Sequence, residues 1–280
     1  MAGTSVPILR PRPDSEAGGR PWQSAQPANL DDWRLLSDLY ATEPVAPRDR
    51  MMFALLAPLG ISPGLPLNPD ALQAQILTEA AQLGDLIVRT IADDKRTPGA
   101  TVSPGMHWEY AVLFDLDQES PDKRRLQFDE RSFWFYEAIG MSLGMPGPIV
   151  GFGQVHLEAP KDVYGQWLDG GRIYRTRLPA GPPVKQFGSI TLDDNLTRGP
   201  VITPQGAADL SSRNPDRVTN ADGSLDVFFG PMKPAGANNW ISTILAKGWF
   251  SYFCLYGPTE AYFVKTWQLH DIEMVGVVKP

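Results

Sequence analysis

The sequence predicts an α+β protein, with an N-terminal helical segment followed by an antiparallel β-sandwich of jelly-roll type. Three observations carry that prediction. Residues 30–149 hold apolar side chains at spacings of three and four, with Asp, Asn and Pro where helices start. After Val150 the pattern changes to short runs of alternating apolar and polar residues separated by Asp-Gly and Gly-Pro turns. The 27 prolines and 26 glycines among 280 residues supply the many turns that such strands need.

Residues 1–29 are rich in Pro, Gly and Ser without periodicity and read as a flexible leader. Asp31 or Asp32 then caps a short helix through Tyr40, and Pro47 opens another that ends near Gly60. Asn68-Pro69 reads as an N-cap with proline at the first helical position. Leu72, Ile76, Ala80, Leu83, Ile87 and Ile91 follow as the stripe of one amphipathic helix, expected to face the core. A partner-binding helix is the sharper alternative. Asp129-Glu130 suits the start of a helix running from Phe128 to Leu143, which Pro146 and Pro148 end.

In the β part, which spans residues 150–280, Asp169-Gly170 and Asp222-Gly223 are hairpin signals, because a two-residue primed turn needs a positive φ that these residues tolerate. Leu225, Val227 and Phe229 alternate with polar neighbours, as in a strand with one buried face. Trp249–Tyr256 is apolar on both faces and reads as a central strand. Val201–Asn214 reads as a long surface connection.

Composition narrows the function classes. At 42% hydrophobic the chain can bury a substantial core. A net charge of −7 and a pI near 5.0 disfavour nucleic acid, whose phosphates need a concentrated basic face. Cys254 is the single cysteine, so an intrachain disulfide and a thiolate metal cluster are both excluded. No apolar run approaches the ~20 residues of a membrane helix. Met1 to Arg20 lack the pattern of a secretory signal, so the expectation is a cytoplasmic protein.

The stretch from Asn220 to Glu273 has a characteristic succession: Asn220-Ala221-Asp222-Gly223-Ser224, Val227-Phe228-Phe229-Gly230-Pro231, Asn239-Trp240-Ile241-Ser242-Thr243, then Leu255-Tyr256-Gly257-Pro258. It resembles the C-terminal domain of the bacterial family known as domain of unknown function 1214, which usually carries domain of unknown function 1254 upstream. Ile61-Ser62-Pro63-Gly64, Lys161-Asp162 with Gly165, and Leu168-Asp169-Gly170-Gly171 with Tyr174 extend the likeness over roughly Trp33 to Glu273. The resemblance implies a jelly roll and names no reaction. Members of that family often look exported, unlike this chain, whose N-terminal part is short by comparison. Where the family usually has Trp, Tyr and Arg, this chain has Gly188, Asp193 and Cys254. Loss of an indole, a phenol and a guanidinium from positions that could bind a ligand together implies a remodelled pocket.

Candidate sites each have a plainer explanation beside the chemical one. Gly140-Met141-Ser142-Leu143-Gly144 matches a nucleophile elbow, but Met-Pro-Gly-Pro follows where a helix should begin, so Ser142 lacks the required context. His107, His156 and His270 show no metal-ligand spacing, and no metal or cofactor is expected. Gly151-Phe152-Gly153 does not complete a dinucleotide fingerprint. Asp169 and Asp222 suit turns, since an Asp side chain bonds nearby amides there. Asn239, Trp240, Tyr256 and Trp267 could line a groove where aromatic faces stack on sugars or other apolar ligands; they could equally order loops and fill the core.

The reading that results is a β-sandwich protein binding a small molecule or carbohydrate, with no identified reaction. One alternative is a hydrolase or lyase acting on a polar or carbohydrate-like substrate, with Asp162, Asp222, Arg175 and Asn239 as its polar groups. Another is a structural or assembly partner. A homo-oligomer is compatible with all three.

Overall fold

A computed structural model describes residues 26–111, 119–120, 122–138 and 149–277. The chain divides into two compact units, one ending at Gln82 and the other beginning at Leu83.

The first unit is helical. Helix α1 (Leu30–Thr42) is capped by Asn29, whose Oδ1 accepts from the Asp31 amide at 2.7 Å. The cap therefore lies two or three residues before Asp31 and Asp32, which fall in the first turn, because Asn29 is the residue with extended backbone. The single helix expected from Pro47 to Gly60 is broken into a 3-10 turn (Pro47–Asp49), α2 (Arg50–Ala54) and a second 3-10 turn (Ala57–Leu59). Pro58 lacks the amide that a continuous helix would use, and Gly60 ends the run in the left-handed region at φ 79°. Tyr40 and Phe53 bring their rings to 4.5 Å, and the Trp33 indole donates to the Leu77 carbonyl at 2.7 Å.

Helix α3 (Ala71–Asp93) is capped by Asp70, whose Oδ1 accepts from the Gln73 amide, and not by Asn68. Its orientation reverses the expectation. Leu72, Ile76, Leu83 and Ile87 are 48–67% exposed, whereas Leu77, Ala81 and Ala92 are buried. At 100° per residue these two sets lie on opposite sides of the helix. Small side chains allow the closer approach, so the Ala-rich side packs inward and the bulky stripe faces outward.

In the second unit, α4 (Phe128–Ala138) covers the first part of the helix expected over Phe128–Leu143; residues 139–148 lie outside the described segments. Two sheets follow. The larger has the order β1-β2-β8-β4-β5, from Glu109–Tyr110, Gln154–Ala159, Trp249–Pro258, Val184–Asp194 and Asp209–Ser211. Strand β1 comes from the stretch read as helical. The smaller has the order β7-β6-β3-β9, from Asn239–Ser242, Leu225–Gly230, Arg172–Leu178 and Glu273–Val277. All pairs are antiparallel except β6 with β7, which run parallel, so this sheet is mixed. Strand β8 is central, as its apolar character predicts, and β5 sits inside the expected surface connection.

Both Asp-Gly dipeptides make turns, but neither joins two paired strands. Strand β3 pairs with β6 and β9, and Gly170 instead docks on the 244–248 loop, donating to Lys247 O at 2.8 Å. Asp222 Oδ1 accepts from the Ser224 amide and hydroxyl, closing a turn ahead of β6. Leu157, Ile190, Leu192, Phe253 and Leu255 from the larger sheet meet Tyr174, Val227, Phe229 and Ile241 from the smaller in one core. Trp249 stands edge-on to Tyr174 at 5.6 Å, and Trp108 edge-on to Phe253 at 6.4 Å. This buried aromatic payload is the main source of the sandwich's stability.

Candidate functional site

Because side chains alternate along a strand, the residues between the core positions of the larger sheet form its opposite face. Two cross-strand rows lie there. One is His156, Cys254 and Ser189; the next is Glu158, Tyr252 and Thr191. Asp193 lies one row beyond, opposite Phe250. Such a polar row needs partners when covered, because unpaired buried charge is costly.

The partners come from four other segments. Arg198 follows a turn in which Asp194 Oδ1 accepts from the Leu196 and Thr197 amides, and it sits at φ 57°. A non-glycine residue in that region is held there by its contacts. Its guanidinium lies 4.1 Å from the Phe250 ring and 5.2 Å from the Tyr136 ring. It donates to Asp93 at 3.0 Å, to Glu158 at 3.3 Å, to the Tyr252 hydroxyl at 3.0 Å, and to Glu137. Tyr252 in turn donates to Glu137. Phe133, Tyr136 and Glu137 lie on one side of α4 at i, i+3 and i+4.

Lys95 completes the cluster. Its ammonium is wholly buried, donates to Ala92 O at 2.7 Å, and pairs with Glu158 and, at 3.5 Å, with Glu109. Four carboxylates thus face two cations. Burial pushes the Asp93 and Glu109 carboxyls up, against the pull of Arg198 and Lys95 respectively. Burial likewise lowers Lys95, while Glu137 and Glu109 oppose it. Although burial works against its charge, Arg198 is held above its ordinary value by Glu137, Tyr252 and Asp93. Burial raises Asp193 to about 6, with Thr191 and Arg198 opposing.

His156 Nδ1 lies 3.0 Å from Cys254 Sγ. Burial lowers the imidazole and raises the thiol to about 12. A reactive cysteine needs the reverse, a thiolate stabilised by a cationic neighbour. This pair is therefore a neutral contact within the sheet.

Beside the charged cluster an open cleft of about 380 Å³ lies between the C-terminal half of α3, the 94–97 turn and α4. Leu83, Leu86, Ile87, Ile91 and Phe133 form apolar walls. Thr90, Thr97, Asp94, Arg96 and Asp129 supply polar groups, with buried Lys95 behind them. Asp94 also pairs with Lys161, whose ammonium sits 4.5 Å from the Trp167 ring centre.

The residues singled out from sequence are dispersed. Ser142 lies outside the described residues. Asp162 is buried and accepts from the Tyr164 and Gln166 amides at 2.9 Å, Asp222 caps its own turn, and Arg175 pairs with Glu273 across β3 and β9. Asn239 exchanges hydrogen bonds with the Val218 backbone and donates to Asp226 O; the Trp240 indole donates to Gly230 O. Tyr256 stacks on Phe187 at 4.1 Å on the face of the larger sheet away from the core. Trp267 stacks on Phe253 at 5.6 Å and donates to Ala180 O.

Asp193 and Cys254, two of the positions that depart from the family pattern, share that outer face. Gly188 is directed inward, opposite core residue Leu255, where an added Cβ would meet Cys254 O at 3.4 Å. Sequence inspection missed Asp93, Lys95, Glu109, Glu137, Glu158 and Arg198, since these come from separate segments with no spacing to connect them. Among the described residues no group of three or more His, Cys, Asp or Glu side chains is arranged to hold a metal ion. No described helix is long and apolar enough to cross a membrane.

No curated protein matches this chain. Among solved structures it is similar to the VPA0106 protein of Vibrio parahaemolyticus, at 18% identity and a TM-score of 0.42, over 99% of this chain and 60% of that one. It is also similar to an uncharacterised protein of Burkholderia cenocepacia, at 12% identity and a TM-score of 0.33, over 76% of this chain and 45% of that one. The chain thus spans less than two thirds of the length of either. Residues 153–260, from the turn before β2 into α5, match the family described as "Protein of unknown function (DUF1214)".

Proposed function

We propose that the protein binds a small amphipathic molecule in the cleft between α3 and α4. The observation that carries this reading is the combination of a roughly 380 Å³ space with apolar walls on one side and hydroxyl, carboxyl and guanidinium groups on the other. Ligand pockets commonly run from about 300 to about 1,000 Å³ and combine apolar lining with a few polar groups that set orientation. The ligand's apolar body packs against Leu83, Ile87, Ile91 and Phe133. Its head meets Thr90, Asp94, Arg96 and Thr97. Lys95 is spent on Glu158 and Glu109 and Asp94 is paired with Lys161, so the other charges of the lining are one acid, Asp129, and one base, Arg96, and an uncharged hydrogen-bonding head suits the site better than an anion. A sugar-like head fits that description, in keeping with the carbohydrate expectation from sequence. The groove of Asn239, Trp240, Tyr256 and Trp267 is the weaker location, because three of those side chains spend their polar atoms on the fold's own backbone.

Thermal denaturation with hexyl glucoside or hexanoate tests this. The account expects hexyl glucoside to raise the midpoint; a ligand at about 100 times its dissociation constant stabilises the fold by about 2.7 kcal/mol. Hexanoate, with the same tail and a charged head, should do less. Thr90→Trp, which fills the cleft from an exposed position, should abolish the shift. A shift that Thr90→Trp leaves intact would place the ligand elsewhere.

A further inference from the structure

The polar side of the cleft continues into a loop that presents an aromatic ring. Asp94 lines the cleft, keeps 42% of its side chain exposed, and pairs through Oδ1 with Lys161. The Lys161 ammonium lies in turn 4.5 Å from the centre of the Trp167 ring. Large aromatic side chains mostly bury their area. Trp167 instead is 51% exposed, and its indole nitrogen has no hydrogen-bond partner among the described residues. The ring thus stands open, one ammonium away from a residue of the cleft wall.

The loop from Lys161 to Trp167 holds that ring in place. Its two ends face each other as an isolated bridge pair. Asp162 is buried inside it, accepting from the Tyr164 and Gln166 amides at 2.9 Å and donating its own amide to Gln166 O at 2.8 Å. Gly165 makes the reversal at φ 73°, and the Val163 amide donates to Ile272 O at 2.8 Å, which ties the loop to the residue before β9. A ligand that meets the ring therefore has little left to order.

We propose that Trp167, Lys161 and Asp94 form a second subsite, which takes a sugar ring joined to the head bound in the cleft, so that the ligand is an alkyl or acyl glycoside with at least two sugars. This rests on the cleft reading above and extends it by one ring. Lys161 covers part of the indole and leaves the rest free for the apolar C–H face of a pyranose. Adjacent ring hydroxyls need an acceptor beside a donor, and both are present. Asp94 Oδ2 has no partner among the described residues, and Lys161 spends only one of its three N–H groups on Asp94 Oδ1. Since these two charges already neutralise each other, the subsite exerts little net pull on an anion. A purely aromatic ligand would stack on Trp167 but leave the acceptor and donor unused.

Calorimetric titration with hexyl glucoside, hexyl maltoside and hexyl lactoside tests the subsite, the last two adding a second ring in α and in β linkage. On wild type the better disaccharide should bind about tenfold more tightly than hexyl glucoside, the scale of one stacked ring with its hydrogen bonds. Trp167 does not line the cleft and is exposed, so Trp167→Ala should remove that gain while leaving hexyl glucoside binding and the thermal midpoint as in wild type. Trp167→Phe, which keeps a ring, should retain part of the gain. Hexyl glucoside binding with no gain from either disaccharide would overturn the subsite and leave the cleft reading standing. A gain that Trp167→Ala leaves intact would also overturn it. No binding of any of the three to wild type would overturn both.

Discussion

Replacing Asp193 with Asn should stabilise the protein at neutral pH, and the size of the effect follows from where the carboxyl sits. Asp193 is 5% exposed on the face of β4 directed away from the core, and the Thr191 hydroxyl donates to its Oδ2 at 3.1 Å. Burial raises it from 3.8 to about 6. The unfolded chain releases this proton near 3.8, while the folded chain keeps it to about 6. Between those values the folded state binds the extra proton, so the contribution of Asp193 to stability falls as pH rises from about 4 to about 6, then stays low. At about 1.4 kcal/mol per tenfold change, the ionised carboxylate costs at most about 3 kcal/mol at neutral pH. Asn keeps the acceptor for Thr191 and has no proton to lose. Urea denaturation of both proteins from pH 4 to pH 8 should show them equally stable at the acid end. The variant should then pull ahead by up to about 3 kcal/mol above pH 6. Because His156 and the other carboxyls titrate in both proteins, the difference isolates Asp193. A gap independent of pH would refute the reasoning, and so would a variant that falls behind as pH rises.

Three further outcomes are expected. Arg198→Met should cost about 3–5 kcal/mol in chemical denaturation, since it leaves Asp93, Glu137 and Glu158 buried without their shared cation. Gly170→Ala should lose several kcal/mol, because a Cβ there would lie 2.0 Å from Ile244 O and 2.9 Å from Lys247 O, both backbone atoms; a variant as stable as wild type would mean the 244–248 loop yields easily. Cys254 should resist a thiol reagent at pH 8 in the folded protein and react fully in denaturant, because its thiol is buried and raised to about 12.

How much of this was legible in the sequence depended on whether a signal was local. Strand β8 was legible because Trp249, Phe250, Phe253 and Leu255 leave no polar face, and a strand apolar on both sides belongs in the middle of a sheet. The Asp169-Gly170 and Asp222-Gly223 turns were legible as turns. Their neighbours were not, since pairing partners are chosen by packing across the sandwich, far along the chain. Helix α3 was legible as a helix but was read the wrong way round. Hydrophobic bulk favoured Leu72, Ile76, Leu83 and Ile87, whereas close packing selected the Ala-bearing side. The charged cluster carried no local mark at all: Lys95, Glu109, Glu137, Glu158 and Arg198 meet only because the turn after α3, β1, α4, β2 and the turn after β4 converge. Fold class therefore emerged from periodicity and turn chemistry, while the candidate site emerged from tertiary contacts alone.

The cleft is the centre of the functional account, and a calorimetric titration of hexyl glucoside into the wild-type chain and into Thr90→Trp tests it most directly. The account predicts saturable binding of one molecule per chain to wild type and none to the filled cleft. Binding that survives Thr90→Trp unchanged, or no binding by wild type, would contradict it.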